Sequence, residues 1–551
     1  MRCATWPRES TEQSTGESAG AYRAAVGEAL RTIHVMVILF SLACITFGGA
    51  IVMWTTNIVD TMVLSSLVIR NGTQIYDWWV SPPVETLFRV RIFNYTNHEA
   101  YLNGTDKKFQ LQELGPYTYR AKMEKANVEF DDEGEIVTFQ ENRSYEFLPD
   151  LSPGVSLDDQ IIVPNLALLV CSRCFKKGAA SVMHDSYYIV RMTLASILKG
   201  LQVEPFLHLQ VGEFLWGYDD TLFTLAKSVV PFQREMPMDR FGLLAAQNGL
   251  SLDRVSIHTG LKNQSMLGLI SEYNGENSLP YWGSYECNRV DGSEGTIFPQ
   301  MPLKQSHNEN EIGSTTPSRF HIFNHQLCRR FPLEEKGLVT AHGFPALRFE
   351  PIDGVFDDAT RKPEHKCFCD PATSVCPPSG VFNATPCAYG APIMVSFPHF
   401  YLGSPSLMEP FEGLKPTKEE HEFFLDIQPT LGIPLGGRSR FQLNVMVRRS
   451  KGIWQLNKFP HDLILPIAWI EVAVEDLPQH VRSAIKLVTE TSEIIERTLM
   501  ILLITISLLI FIILMVMISR RIYQKHQKEK LESAIAQDDK TASKAFIESN
   551  G

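Results

Sequence analysis

The sequence predicts a membrane protein: two transmembrane helices flanking a large, mainly β ectodomain of α+β class. Three observations predict it. Two strongly apolar segments stand far apart in a chain of 551 residues. Acceptor motifs for N-glycosylation fall only between them. Short runs of alternating apolar and polar residues fill much of that interval. At 44% hydrophobic and 21% charged, the chain has the apolar content to bury a core, which excludes disorder as its main state.

Residues 1–32 include ESTEQSTGESAG, small and polar, and are expected to be a disordered tail. Residues 33–56 follow as the first span, HVMVILFSLACITFGGAIVMWTT. Between Arg31 and Asp60 its only acidic or basic side chain is His34. The segment is too long, and starts too far along, for the apolar part of a signal peptide, so it is read as an uncleaved helix. The second span, 498–519, is TLMILLITISLLIFIILMVMIS. Its 22 uncharged residues reach roughly 33 Å as a helix, enough to cross a hydrocarbon core.

Charge orients the spans. RRIYQKHQKEK follows the second, the acidic TETSEIIER precedes it, and Arg23 and Arg31 precede the first. Positive charge marks the cytoplasmic side. Both termini, 1–32 and 520–551, are therefore expected in the cytoplasm, with residues 57–497 outside. Two further patterns agree. The six sequons, Asn71, Asn94, Asn103, Asn142, Asn263 and Asn383, all lie in 57–497. Cys287, Cys328, Cys367, Cys369, Cys376 and Cys387 make an even cluster there. In an oxidising compartment that reads as three disulfides, with about fifteen connectivities open. Zinc is disfavoured, because CFCDPATSVC lacks finger spacing and no paired histidines follow.

The whole chain carries −11 and the tails a slight excess of positive charge, leaving about −13 on the ectodomain; nucleic acid is not an expected partner. In VTFQENRSYEFL, Val137, Phe139, Tyr145 and Phe147 alternate. In FQLNVMVRR, Phe441, Leu443, Val445 and Val447 take one face, and Gln442, Asn444 and Arg448 the other. These predict half-buried strands with a polar outer face. Residues 158–227 instead read as helical, with Val190, Leu194, Ile197, Leu198 and Leu201 at helical spacing.

No Walker loop, HExxH or GxSxG occurs, and neither an enzyme nor a cofactor is expected. His321 and His325 in HIFNH suit a metal only on a helix, which the flanks do not support. EEHEFFLD reads as a solvated charged turn. A two-span channel would want polar small residues along its spans, and the second span is almost wholly Leu, Ile, Met and Val. A two-span nucleotidase would want glycine-rich phosphate loops, and none is evident.

An ordered set of stretches resembles the class B scavenger receptor family. ELGPYTYR, SYEFLPDLS, IVPNLALL, EFLWGYDD and DGSEGTIFP come first. CFCDPATSVC, FNATPCAYGAPIMVSFPHFYLGSP, GLKPTKEEHEFFLDIQPTLGIPL and FQLNVMVRR follow. The resemblance implies an antiparallel β-barrel-like core, an apical helical bundle at 158–227 and a hydrophobic tunnel. It implies the pairs Cys287–Cys367, Cys328–Cys387 and Cys369–Cys376. Cys171 and Cys174 lie outside that pattern and either bridge locally or stay as buried thiols; the compartment favours the bridge. Implied partners are fatty acids, sterols, carotenoids or other hydrophobic signals, and lipoprotein or anionic particles. A homo-oligomer is compatible. Arg173, Lys176, Lys177 and Lys199 are the candidate apical contacts, set against ordinary solvated helix-end cations. The same stretch ELGPYTYR is expected in an early strand, with Gly115-Pro116 ending or bending a ladder where pairing stops. The C-terminal tail has neither an acidic dileucine nor a tyrosine sorting signal, which favours the plasma membrane over the lysosome. Within the family, adhesion or phagocytic recognition is the alternative role.

Overall fold

The computed structural model describes residues 13–56, 65, 67–170, 192–193, 195–229, 238–301, 318–369, 375–388, 390–450, 453–459 and 463–548. The chain divides into two compact units, 1–63 with 484–551, and 64–483.

The first unit is a pair of helices, Gln13–Thr55 and Ser492–Glu548. Among the described residues, two helical stretches are long and apolar enough to cross a membrane: Val26–Thr55, mean hydropathy 2.5, and one within Gln479–Asp538, 3.3. Ala43, Ile510 and Leu514 form their seam. Ser507 Oγ donates to Ala43 O at 3.2 Å, and an Arg521 guanidinium N–H to Ala29 O at 2.8 Å. The helices therefore run antiparallel, and both tails leave from the same end of the pair. The first helix starts at Gln13, so residues 13–32 are helical where disorder is expected. AAVGEALR is rich in strong helix formers, and that outweighs the polar start.

The second unit is built on strands. They are β1 (Thr86–Tyr95), β2 (Phe109–Phe130), β3 (Ile136–Phe147), β4 (Gln160–Pro164), β5 (Phe206–Gln210), β6 (Gly249–Leu250), β7 (Val255–His258) and β8 (Ile270–Tyr273). Then come β9 (Arg319–Asn324), β10 (Arg329–Ala341), β11 (Phe344–Pro351), β12 (Phe382–Asn383), β13 (Ile393–Ser396) and β14 (Phe411–Glu412). β15 (Phe424–Gln428), β16 (Ile433–Val447) and β17 (Leu463–Val474) complete the set. The main sheet runs β8-β7-β3-β2-β1-β17-β16-β15-β11-β10-β9, antiparallel at every step.

The two ends of that path are stitched together by the segment around Ser293. Ser293 N–H donates to His321 O in β9 at 2.8 Å, and Phe323 N–H returns to Ser293 O at 3.0 Å. On the other side Ile270 N–H, in β8, donates to Gly292 O at 2.8 Å, and Glu294 N–H to Gly268 O at 3.2 Å. The sheet is thereby nearly closed. Lys125 and Glu294, side chains 1% and 4% exposed, meet at 3.6 Å and hold the stitch against β2. Gly292 is needed where it stands: its φ is +104°, and a Cβ would lie 2.6 Å from His321 O.

The 158–227 region is mixed. Ile161, Ile162 and Val163 form β4, which pairs with β5, where helix is expected. Their β-branched side chains favour the extended state. Helices Val211–Trp216 and Thr221–Val229 follow. Val190 and Leu194 lie outside the described residues; Leu198 is fully buried and Leu201 exposed.

Candidate functional site

ELGPYTYR lies inside β2, and the ladder does not stop there. Val90 pairs with Tyr117 and Ile92 with Leu114, so β2 carries one residue more than β1 across Gly115-Pro116. This is a β-bulge, and it reverses the alternation of side chains. Without it Glu113 and Tyr117 would share a face. With it they point to opposite faces of the sheet. Gly115 is at φ +127°, and a Cβ there would sit 2.8 Å from Val90 O.

On one face Tyr117 and Tyr119 hold the helical subregion. Tyr117 OH donates to Asp159 Oδ2 at 3.0 Å, and Trp216 Nε1–H donates to Tyr119 OH at 3.1 Å. Burial pushes the Tyr119 phenol up to about 12. On the other face Glu113, itself partly exposed, reaches two buried side chains, His399 and Trp469. His399 Nδ1 accepts the Lys415 backbone N–H at 3.0 Å, which leaves the proton on Nε2 to donate to Glu113 Oε2 at 2.8 Å. Glu113 Oε1 accepts from Trp469 Nε1 at 3.1 Å and pairs with Arg91 Nε at 3.5 Å. Burial raises the Glu113 carboxyl, but the interaction with His399, then the Arg91 charge, outweigh it and hold the pKa below the usual range.

His421 lies beside His399 with ring centroids 4.4 Å apart and the rings tilted by 34°. It is 3% exposed, so EEHEFFLD is not a solvated turn. Thr417 caps the short helix Lys418–His421 by accepting from Glu420 N–H. Arg440 then holds that helix by donating to Glu419 O and Glu422 O at 3.1 Å each. The supposed outer face of β16 is likewise covered. Gln442 and Asn444 are fully buried, Gln442 Oε1 accepting His399 N–H at 2.7 Å and Asn444 Nδ2 donating to Ser396 Oγ at 3.0 Å. Alternation in the sequence could not reveal this covering layer. A cavity of about 170 Å³ opens beside this region, bordered by Glu350, Asp357, Tyr401, Lys418 and Glu422. That polarity and size suit water rather than an acyl chain.

The bridges are Cys287–Cys367, Cys328–Cys387 and Cys369–Cys376, with Cα separations of 6.4, 5.9 and 4.2 Å. The first pins the chain just ahead of the Ser293 stitch. Beside the second, Arg329 is buried between Phe368 and Phe382, its guanidinium 4.3 and 4.8 Å from the two rings. Desolvation, then the Arg330 charge, pushes Arg329 down to about 9. His321 lies in β9, and His325 packs against Arg143 at 3.4 Å.

Asn71, Asn103, Asn142 and Asn263 are exposed. Asn94 is half-buried, its Oδ1 accepting Ile162 N–H at 2.9 Å. Asn383 is 7% exposed and its Oδ1 accepts Thr385 N–H, so a glycan there conflicts with the packing. Arg173, Lys176, Lys177, Cys171 and Cys174 lie outside the described residues. Lys199 is described and exposed.

The fold and these features define a class: a nearly closed β domain, pinned by disulfides, in a chain that carries two helices apolar enough to cross a membrane among the described residues. A profile of the CD36 family matches residues 39–518, and the chain belongs to that family. It is 31% identical over 425 residues to "Scavenger receptor class B member 1" of Bos taurus, covering 77% of each chain. It is 30% identical over 437 residues to "Lysosome membrane protein 2" of Rattus norvegicus, covering 79% of this chain and 84% of the relative.

Proposed function

We propose that this chain is a class B scavenger receptor of the plasma membrane that takes up lipid at the far end of its ectodomain and passes it along an apolar conduit to the bilayer. Both tails then lie in the cytoplasm, the exposed sequons carry glycans, and the protein is a receptor rather than an enzyme. The observation that carries the reading is the nearly closed sheet. A walled, largely apolar interior can hold an acyl chain without dedicated chemistry, because each CH₂ withdrawn from water contributes about 0.8 kcal/mol. Fatty acids, sterols and carotenoids all meet that requirement.

The test is mass spectrometry of lipid carried by the purified full-length protein, before and after organic extraction. One lipid class enriched over its share of the source membrane, at near-equal stoichiometry, is the expected result. Lipid that merely mirrors the membrane would end the conduit reading. Retained capture of particles or cells would then point to a recognition receptor.

A further inference from the structure

The inner face of β3 carries Val137, Phe139, Glu141, Arg143, Tyr145 and Phe147, while Asn142, Ser144 and Glu146 on the other face are exposed. Two charged side chains therefore interrupt an apolar row. Arg143 Nε–H donates to Glu141 Oε2 at 3.0 Å, and Nη2 reaches the same oxygen. Nη1–H donates to Gln247 Oε1 at 3.1 Å. Nη2 also faces His325 Nε2 at 3.4 Å; a guanidinium only donates, so this imidazole nitrogen is the acceptor. Aromatic rings flank the pair along the strand, Tyr145 lying 5.0 Å from Phe88 and Phe139 5.0 Å from Trp79.

Protein surrounds this pair, yet the Arg143 and Glu141 side chains keep 15% and 20% of their surface accessible. The inner face thus leaves space at this level. Lys125 stands opposite Glu141 on β2 and pairs with Glu294 at 3.6 Å. Beside it, Trp79 Nε1–H and Glu294 Oε2 are buried without a hydrogen bond among the described residues. Buried polar atoms of this kind are costly unless a guest supplies their partners.

Charge decides which guest fits. Arg143 and Lys125 are matched by Glu141 and Glu294. Burial raises the Glu141 carboxyl, but the Arg143 charge, then that of Lys125, outweigh it and hold the pKa down to about 2. A carboxylate head would bring an unmatched anion to this balanced group, and an ammonium an unmatched cation. A bare hydrocarbon end would leave the polar atoms facing nothing. A hydroxyl donates one hydrogen bond and accepts others without changing the charge. We propose that Glu141 and Arg143, on the inner face of β3, bind the hydroxyl head of an alcohol-type lipid. The proposal rests on the reading of a lipid conduit, and it names the head group that the conduit holds.

The test offers delipidated full-length protein hexadecan-1-ol, its methyl ether or hexadecanoic acid, one at a time, and measures the lipid retained. Wild type retains the alcohol about tenfold over the ether, which lacks the donor, and over the acid, which adds a charge. Glu141→Leu/Arg143→Met removes both charges together, so neither is left buried alone, and it retains alcohol and ether alike. A second measurement needs no variant to fold: an alcohol with a photoreactive diazirine beside its hydroxyl labels β3 or Gln247 of wild type. Equal retention of alcohol and ether by wild type overturns the proposal. So does a preference for the acid, a preference for the alcohol that survives in the apolar variant, or label confined to other segments. In each of those cases the chains are still held, and the conduit stands without the proposed head-group site. Retention of none of the three lipids by wild type overturns the conduit and this site together.

Discussion

His399 donates its Nε2–H to Glu113 Oε2 at 2.8 Å, joining side chains 286 residues apart. Glu113 also receives Trp469 Nε1–H and faces Arg91. Replacing it strands two buried donors, His399 Nε2–H and Trp469 Nε1–H, which costs more than a single neutral hydrogen bond. Glu113→Ala is expected to destabilise the ectodomain by about 2–4 kcal/mol. Thermal unfolding of the full-length protein reads this directly, and an unchanged midpoint would remove the cluster from any account of stability.

Gly292 tests whether the sheet depends on its stitch. Gly343 has a similar positive φ of +87° but open space around it, whereas a Cβ on Gly292 meets His321 O. Gly343→Ala should cost only the backbone term, about 1 kcal/mol. Gly292→Ala should cost more and speed amide exchange at Ile270 and Phe323, whose N–H groups bond into the stitch. Equal behaviour of the two variants would mean that the edges hold without it.

The buried histidines make the fold acid-sensitive. Burial, then the adjacent His399, pushes His421 down to about 4. Burial, then the Arg143 charge, also lowers His325. An unfolded histidine titrates near 6.5, so below about pH 6.5 the unfolded chain binds protons that the native state refuses. Stability is therefore full above that pH and falls progressively towards about pH 4. The Glu113 charge opposes this at His421 and Arg440 reinforces it. Unfolding midpoints between neutral pH and pH 4.5 should fall less in His421→Gln than in wild type; parallel curves would exonerate His421.

Glycan occupancy should separate the sequons by burial. Single Asn→Gln changes at Asn71, Asn103, Asn142 and Asn263 should each increase electrophoretic mobility by one glycan. Asn383→Gln should leave mobility unchanged, since that side chain is buried and its Oδ1 accepts Thr385 N–H. A mobility shift at Asn383 would mean that burial in the folded state does not decide which sequons are occupied.

The two spans and the alternating strands were legible because each is a local pattern. Val137 and Phe139 fall on β3, and Val445 and Val447 on β16, all buried as the alternation implies. What escaped was set by distant partners. Nothing near EEHEFFLD announces that His421 meets His399, nor that Gln442 and Asn444 lie beneath another layer. ELGPYTYR showed that something interrupts a strand, but the register shift appears only once β1 is laid beside it. The short strand β4 hid within a region whose apolar content also fits helix, an ambiguity that periodicity cannot resolve.

The strand order has a consequence for biogenesis. β17 lies between β1 and β16, yet it is the last strand made. Some 370 residues separate Tyr95 from Leu463. At about 5–20 residues per second, β1 waits roughly 20–70 s for its neighbour while the chain emerges. Through that interval one edge of β1 and one of β16 lack the strand that will cover them, and either can pair with another nascent chain. The ectodomain cannot be completed in halves. Until the segment Leu463–Val474 arrives, those edges need shielding, and truncations ahead of Leu463 should fail to fold and be degraded rather than accumulate.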